Sequence, residues 1–161
     1  MSKPMPDIAV PGWTTLRLEH LVLDFNGTLA VDGVLLPGVA EALPHLASRL
    51  DIHVVTADTF GTAREALAGL PVRLVVLTSG QKHDEAKRRQ VEQLGADRCV
   101  AIGNGRNDRL LLAAAALGIA VVQQEGAAVP TLLAADVVAP DIVSALGLLL
   151  HPSRLVATLR C

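Results

Sequence analysis

Aromatic side chains are almost missing from this sequence: among 161 residues there is no tyrosine, one tryptophan and two phenylalanines. Apolar residues still make up 51%, so any core has to be built from Leu, Val, Ile and Ala. Cysteine is equally scarce. Cys99 and Cys161 match no metal-ligand or redox spacing, and free thiols point to a cytoplasmic protein. Charge of one sign is not in excess, with 14 Lys and Arg against 16 Asp and Glu. A formal net charge of −2 gives no electrostatic reason for nucleic acid or an anionic membrane as partner. The first ten residues, MSKPMPDIAV, lack the apolar stretch of a signal peptide. The most apolar run, Leu110 to Val122, has 13 residues and contains a glycine, too short to span a bilayer. The expectation is a soluble protein with no membrane partner.

No repeat, low-complexity tract or Ser/Gly linker divides the chain, so residues 1–161 read as one domain, long enough to bury a core. What is present is alternation. Short β-branched runs occupy 20–24, 51–56, 72–78, 98–103 and 118–122. Segments of helical composition lie between and after them at 38–50, 61–70, 84–95, 107–118 and 140–150. Strands apolar at nearly every position, alternating with helices, indicate a mainly parallel sheet covered on both faces, an α/β/α sandwich of three layers. Residues 1–19 differ: two short extended runs flank Pro11-Gly12, which reads as a hairpin or edge addition. Residues 30–36 read as a second hairpin with Asp32-Gly33 as its turn. The tail 151–161 is apolar enough to pack on the core or on a neighbouring chain.

In such a sheet ligands sit beyond the carboxyl ends of the strands. The residues delivered there are Asp24, Thr56, Thr78 and the loop GNGRND, 103–108. An aspartate at that edge can attack phosphorus to give an aspartyl phosphate if a metal neutralises the combined charge. Its helpers are a hydroxyl donor, a lysine and further oxygen ligands for Mg2+. All are available. The five histidines have no i, i+4 pairing, so none is assigned to metal.

DFNGT (24–28), Thr56 after IHVV, Lys87 in AKRRQVEQLG and GNGRND (103–108) together resemble, in order, the four motifs of the haloacid dehalogenase-like (HAD) superfamily of phosphohydrolases. The resemblance runs over about residues 20–125. Within that superfamily the chain is similar to the P-type cation pumps, which also carry a non-acid two places after the aspartate. They have Thr-Gly-Asp where this chain has Thr56-Ala57-Asp58. The spacing from Lys87 through Val91 and Leu94 to Gly103 resembles the pumps' hinge region. Only the 27 residues 29–55 separate the first motif from Thr56, and the 30 residues 57–86 separate Thr56 from Lys87. That leaves room for neither a cap domain nor a nucleotide-binding insertion. The chain looks like the small, soluble, pump-like branch.

The resemblance implies roles residue by residue. Asp24 is nucleophile and metal ligand, and Asn26 offers its backbone carbonyl to the metal. Gly27 and Thr28 shape the phosphate loop, and Thr56 binds a phosphoryl oxygen. Lys87 pairs the charges of aspartate and phosphate; Lys82 competes for that place, but Lys87 has the better spacing. Asn104 is a metal ligand, and Asp108 holds metal-bound water or orients Lys87. Asp58 and Asn107 are weaker correspondences. Two departures stand out. Asn26 occupies the place of the acid that protonates the leaving group and activates water, chemistry worth roughly 10²–10⁴-fold. Asn104 occupies the place of a metal-binding aspartate. Both sit in Asn-Gly pairs, so deamidation would restore the acids.

The implied function is a Mg2+-dependent phosphatase of modest activity that favours activated phosphates, acting on a phosphorylated small molecule or phosphoprotein. The alternative is a phosphate-binding or protein-interaction module that has lost turnover. An uncapped site also makes a homo-oligomer plausible.

Overall fold

The computed structural model describes residues 4–58 and 61–161. Residues 1–3 of the N-terminal segment and residues 59–60, in the interval after Thr56, lie outside the described residues. The chain begins with an antiparallel hairpin of β1 (Ile8–Ala9) and β2 (Thr15–Leu16), followed by β3 (His20–Asp24). A second hairpin, β4 (Ala30–Val31) and β5 (Val34–Leu35), turns through Asp32 and Gly33, both at positive φ as a two-residue hairpin turn requires. Then come α1 (Val39–Ala47), β6 (Asp51–Thr56), α2 (Thr62–Ala66), β7 (Arg73–Val76) and α3 (His83–Leu94). The remainder is β8 (Cys99–Gly103), α4 (Arg109–Ala114), β9 (Leu117–Val121), α5 (Val129–Ala134), β10 (Val137–Ala139), α6 (Ile142–Leu150) and α7 (Pro152–Leu159).

Six strands form one sheet in the order β10-β9-β8-β3-β6-β7, every pairing parallel. Each strand is apolar on both sides because each face is covered. Leu21, Leu23, Ile52, Val54, Val100, Ile102, Leu117 and Ile119 pack with α1, α2, α6 and α7, whereas Val22, Val55, Ala101 and Ala120 pack with α3 and α4. The three-layer sandwich expected from the alternation is the fold. No cap domain interrupts it among the described residues. No single described helix is long and apolar enough to cross a membrane.

From the β3–β8 pair the chain proceeds outward in opposite directions, through β6 and β7 on one side and β9 and β10 on the other. That reversal opens a crevice between the carboxyl ends of β3 and β8, where Asp24 and Gly103 end their strands.

Several local expectations are corrected. Of the two readings for residues 1–19 the hairpin holds and the edge addition does not, since β1 and β2 form a separate two-stranded sheet. The apolar stretch read as a helix to 118 breaks earlier: α4 stops at Ala114 and Leu117–Val121 is strand. Pairing with β8 on one side and β10 on the other outweighs the helix propensity of the alanine run. Residues 129–139 supply α5 and β10, which carry no periodicity long enough to read. The tail is helical as α7, with Leu155 buried and the Cys161 backbone N–H donating to the Pro11 carbonyl.

Candidate active site

β3 ends in a buried carboxylate because the chain leaves the sheet immediately after it. Phe25 is fully buried, its carbonyl accepts from the amides of Thr28, Leu29 and Ala30, and Gly27 turns at φ +79°. A Cβ on Gly27 would lie 2.4 Å from Asn104 Nδ2, so only glycine fits there. This tight turn folds Thr28 back until its hydroxyl is 3.2 Å from both Asp24 Oδ2 and Asn104 Oδ1. One hydroxyl proton serves one of these oxygens at a time.

Across the crevice, α3 delivers Lys87. Its ammonium donates to Asp24 Oδ1 at 2.8 Å, to Asp108 Oδ1 at 2.8 Å and to Asn107 Oδ1 at 3.2 Å, with the residue only 2% exposed. Lys82, in contrast, is on the surface with its ammonium 3.8 Å from Glu85. Asp108 is fully buried, and its second oxygen accepts from the amides of Asn104 (3.1 Å) and Gly105 (2.9 Å). Gly103 makes room for it: a Cβ there would lie 2.5 Å from Asp108 Cγ.

Two carboxylates and one ammonium leave this buried cluster one negative charge in excess. Burial pushes the Asp24 carboxyl up to about 7, the charge of Asp108 adds to that, and Lys87 works against it. Burial also opposes the Lys87 charge, but Asp24 and Asp108 outweigh it and hold the ammonium above the usual lysine range.

A cleft of about 210 Å³ opens above these groups, lined by Asp24, Asn26, Thr56, Lys87, Asn104 and Asn107, with Ala57, His83, Gly105 and Glu125 completing the wall. Of the residues singled out from sequence, Asp24, Asn26, Thr56, Lys87, Asn104 and Asn107 therefore meet in one place. Gly27, Thr28 and Asp108 lie immediately behind it. Asp58 is turned to another task, at φ +43° with Oδ1 accepting from the Ala63 amide at the start of α2. Thr78 is exposed two residues beyond β7 and does not line the cleft.

Three supporting residues escaped the sequence reading. Gln123, just past β9, donates through Nε2 to the carbonyls of Gly27 and Thr28, both at 3.0 Å, and accepts from the Ile142 amide of α6 at 2.8 Å. The Gly126 carbonyl accepts from Asn104 Nδ2 at 3.1 Å, and buried Thr131 donates to the Gly105 carbonyl at 2.7 Å. A polar residue directly after an apolar strand was the available signal for Gln123. Thr131 lies on α5 and Gly126 in the turn ahead of it, and neither segment carries a sequence signal for these contacts.

No three His, Cys, Asp or Glu side chains converge on a cation position among the described residues. The side-chain donors present are one carboxylate, Asp24, and the neutral oxygen of Asn104. Such an oxygen-only set suits a hard divalent ion. The excess negative charge and the shared Thr28 hydroxyl both leave Asp24 short of positive partners, so the residues fit a hard divalent cation. The thiols offer no alternative, since burial pushes Cys99 up to about 11 and Cys161 lies outside the cleft.

No family model matches the sequence. The chain is 48% identical over 79 residues to the uncharacterized protein MJ0073 of Methanocaldococcus jannaschii, a match spanning 47% of this chain and 85% of that protein. Among solved structures it is similar to the 3-deoxy-D-manno-octulosonate 8-phosphate phosphatase of Moraxella catarrhalis, determined with magnesium, phosphate and the sugar acid. The TM-score is 0.64 at 17% identity, over 88% of this chain and 92% of that one. It is also similar to the catalytic domain of the CPx-ATPase CopB-B, with a TM-score of 0.59 at 26% identity, over 72% of this chain and 46% of that one. The chain therefore has the fold of these proteins, and the four stretches that resemble the haloacid dehalogenase-like motifs meet at one edge of its sheet.

Proposed function

We propose that this chain is a magnesium-dependent phosphohydrolase in which Asp24 is the nucleophile. The observation that carries the reading is the buried Asp24–Lys87–Asp108 array at the crevice between β3 and β8. One Asp24 oxygen is held by Lys87, and the other lies within reach of the Thr28 hydroxyl, which also reaches Asn104. The carboxylate is thus oriented and has no freedom to rotate away from an incoming phosphorus. Lys87 spans nucleophile and phosphoryl oxygens, and Thr56, at the end of β6, offers its hydroxyl to the same group. Asp108 has both oxygens committed to Lys87 and to two backbone amides, which favours orienting Lys87 over holding metal-bound water.

Magnesium would be held by the Asp24 carboxylate, the Asn26 backbone carbonyl and Asn104 Oδ1, and when bound it offsets the repulsion between carboxylate and phosphate. Asn26 cannot protonate a leaving group. The reading therefore favours acyl and aryl phosphates, whose leaving groups depart without a proton. A phosphorylated small molecule is the substrate class, in keeping with the size of the cleft and with the sugar-acid phosphatase the fold resembles. Neither the phosphoprotein substrate nor the homo-oligomer expected from sequence draws support from these similarities.

The test is hydrolysis of an aryl and an acyl phosphate, with and without magnesium, by the wild type and Asp24→Asn. Magnesium-dependent turnover lost in Asp24→Asn is the expected result. Equal rates in both proteins would favour the binding module, which the amides at 26 and 104 already suggest.

A further inference from the structure

The cleft wall contains two proton-transfer groups that the motifs do not account for, His83 and Glu125. They matter because the position two after the nucleophile is an amide. Once Asp24 carries a phosphoryl group, water has to attack phosphorus from the side opposite Asp24, at the open mouth of the cleft, and give up a proton there. Asp24 is then esterified, and Lys87 is tied by three hydrogen bonds with its pKa raised.

Glu125 is the better placed of the two. It belongs to a tight turn, Gln123–Gly126, closed by the Gly126 amide donating to the Gln123 carbonyl at 2.8 Å. That turn is bolted to the nucleophile loop through Gln123, at the carbonyls of Gly27 and Thr28, and to the Asn104 loop through the Gly126 carbonyl. The Ala128 amide adds a further bond to the Asn104 carbonyl at 2.9 Å. The backbone on both sides of Glu125 is therefore fixed to the segments that carry Asp24, Asn26 and Asn104, while its own side chain is exposed at the mouth. His83 stands on the α3 side with Asn107 and has no such tie to the nucleophile loop.

Resting on the phosphohydrolase reading, we propose that Glu125 is the general base for hydrolysis of the aspartyl phosphate, doing what Asn26 cannot. In that step a water oxygen bonds to phosphorus while Glu125 takes one of its protons. The bond between phosphorus and the Asp24 oxygen breaks, releasing inorganic phosphate and the Asp24 carboxylate. The proton on Glu125 then passes to solvent.

The experiment is rapid-mixing kinetics with an aryl phosphate and magnesium, comparing the wild type, Glu125→Gln, His83→Gln, Asn26→Asp and the double variant Asn26→Asp/Glu125→Gln. The burst of aryl alcohol reports formation of the aspartyl phosphate, and the rate after it reports breakdown. Glu125→Gln should keep the burst, lose roughly 10²–10⁴-fold in the later rate, and accumulate a phosphorylated protein visible by intact mass. Installing Asp at 26 should restore turnover in the double variant. An unchanged later rate in Glu125→Gln, a loss found in His83→Gln instead, or a double variant as slow as Glu125→Gln would each overturn the assignment. Absence of a burst in all five proteins, or a burst that persists in an Asp24→Asn control, would instead count against the phosphohydrolase reading itself.

Discussion

The Asn104 side-chain amide donates to the Gly126 carbonyl at 3.1 Å, and this bond decides which end of the amide faces Asp24. An aspartate at 104 would turn an oxygen toward that carbonyl, in a site where Asp24 and Asp108 already leave excess negative charge. Asn104→Asp should therefore destabilise the metal-free protein by about 1–3 kcal/mol, read as a lower midpoint in urea unfolding, with magnesium recovering part of the loss. The turn that supplies Gly126 selects the amide.

Gln123→Glu removes the two N–H bonds to Gly27 and Thr28 and keeps an acceptor for Ile142. It also sets a carboxylate against two carbonyls. The nucleophile loop should loosen, with kcat on an aryl phosphate falling about 10-fold or more, KM changing little, and stability dropping by about 1–3 kcal/mol. Equal kcat in variant and wild type would show that the loop holds its shape without Gln123.

Lys87→Met strands two buried carboxylates. Removing one partner of a buried ion pair typically costs about 3–5 kcal/mol, and turnover should vanish. Because the stranded acids recover by taking up protons, the variant's thermal midpoint should rise as the pH is lowered from 8 to 6.

The Asp24 carboxyl, pushed up to about 7, binds a proton in the folded chain at pH values where the unfolded chain has lost it. Its contribution to stability is therefore present at low pH and declines as pH rises through about 7. In the absence of magnesium, the difference in midpoint between wild type and Asp24→Asn should widen from pH 6 to pH 8, the wild type losing ground. A divalent ion competes with that proton, so stabilisation by magnesium should grow over the same interval. Calorimetric scans at three pH values, with and without the metal, check both signs.

Deamidation of the two Asn-Gly pairs is disfavoured by the fold. Ring closure requires the next backbone nitrogen to attack the side-chain amide. The Gly27 N–H is bonded to the Ala30 carbonyl at 2.8 Å, and the Gly105 N–H to Asp108 Oδ2 at 2.9 Å. Peptide mapping of aged native protein should show both asparagines intact, with conversion appearing only after unfolding.

The strand–helix alternation, the parallel sheet and the meeting of Asp24, Thr56, Lys87 and Asp108 at its edge were legible in sequence. Apolar runs of four to six residues ending in a polar group declare a strand and the edge at which it ends, though Thr78 shows that not every such end reaches the cleft. The breaks that were misread share one cause. Ala113–Ala116 has no local reason to end a helix, and β10 has only three residues; both boundaries come from pairing with β9 or β8 across the sheet. The same holds at the site. Composition and spacing could nominate an aspartate and a lysine, because charge in an apolar context is conspicuous. Why position 104 is an amide, and what stands at the cleft mouth, depend on contacts between segments 22 and about 100 residues apart. Only the packing of α3 and the Gln123–Gly126 turn against the crevice brings those groups together.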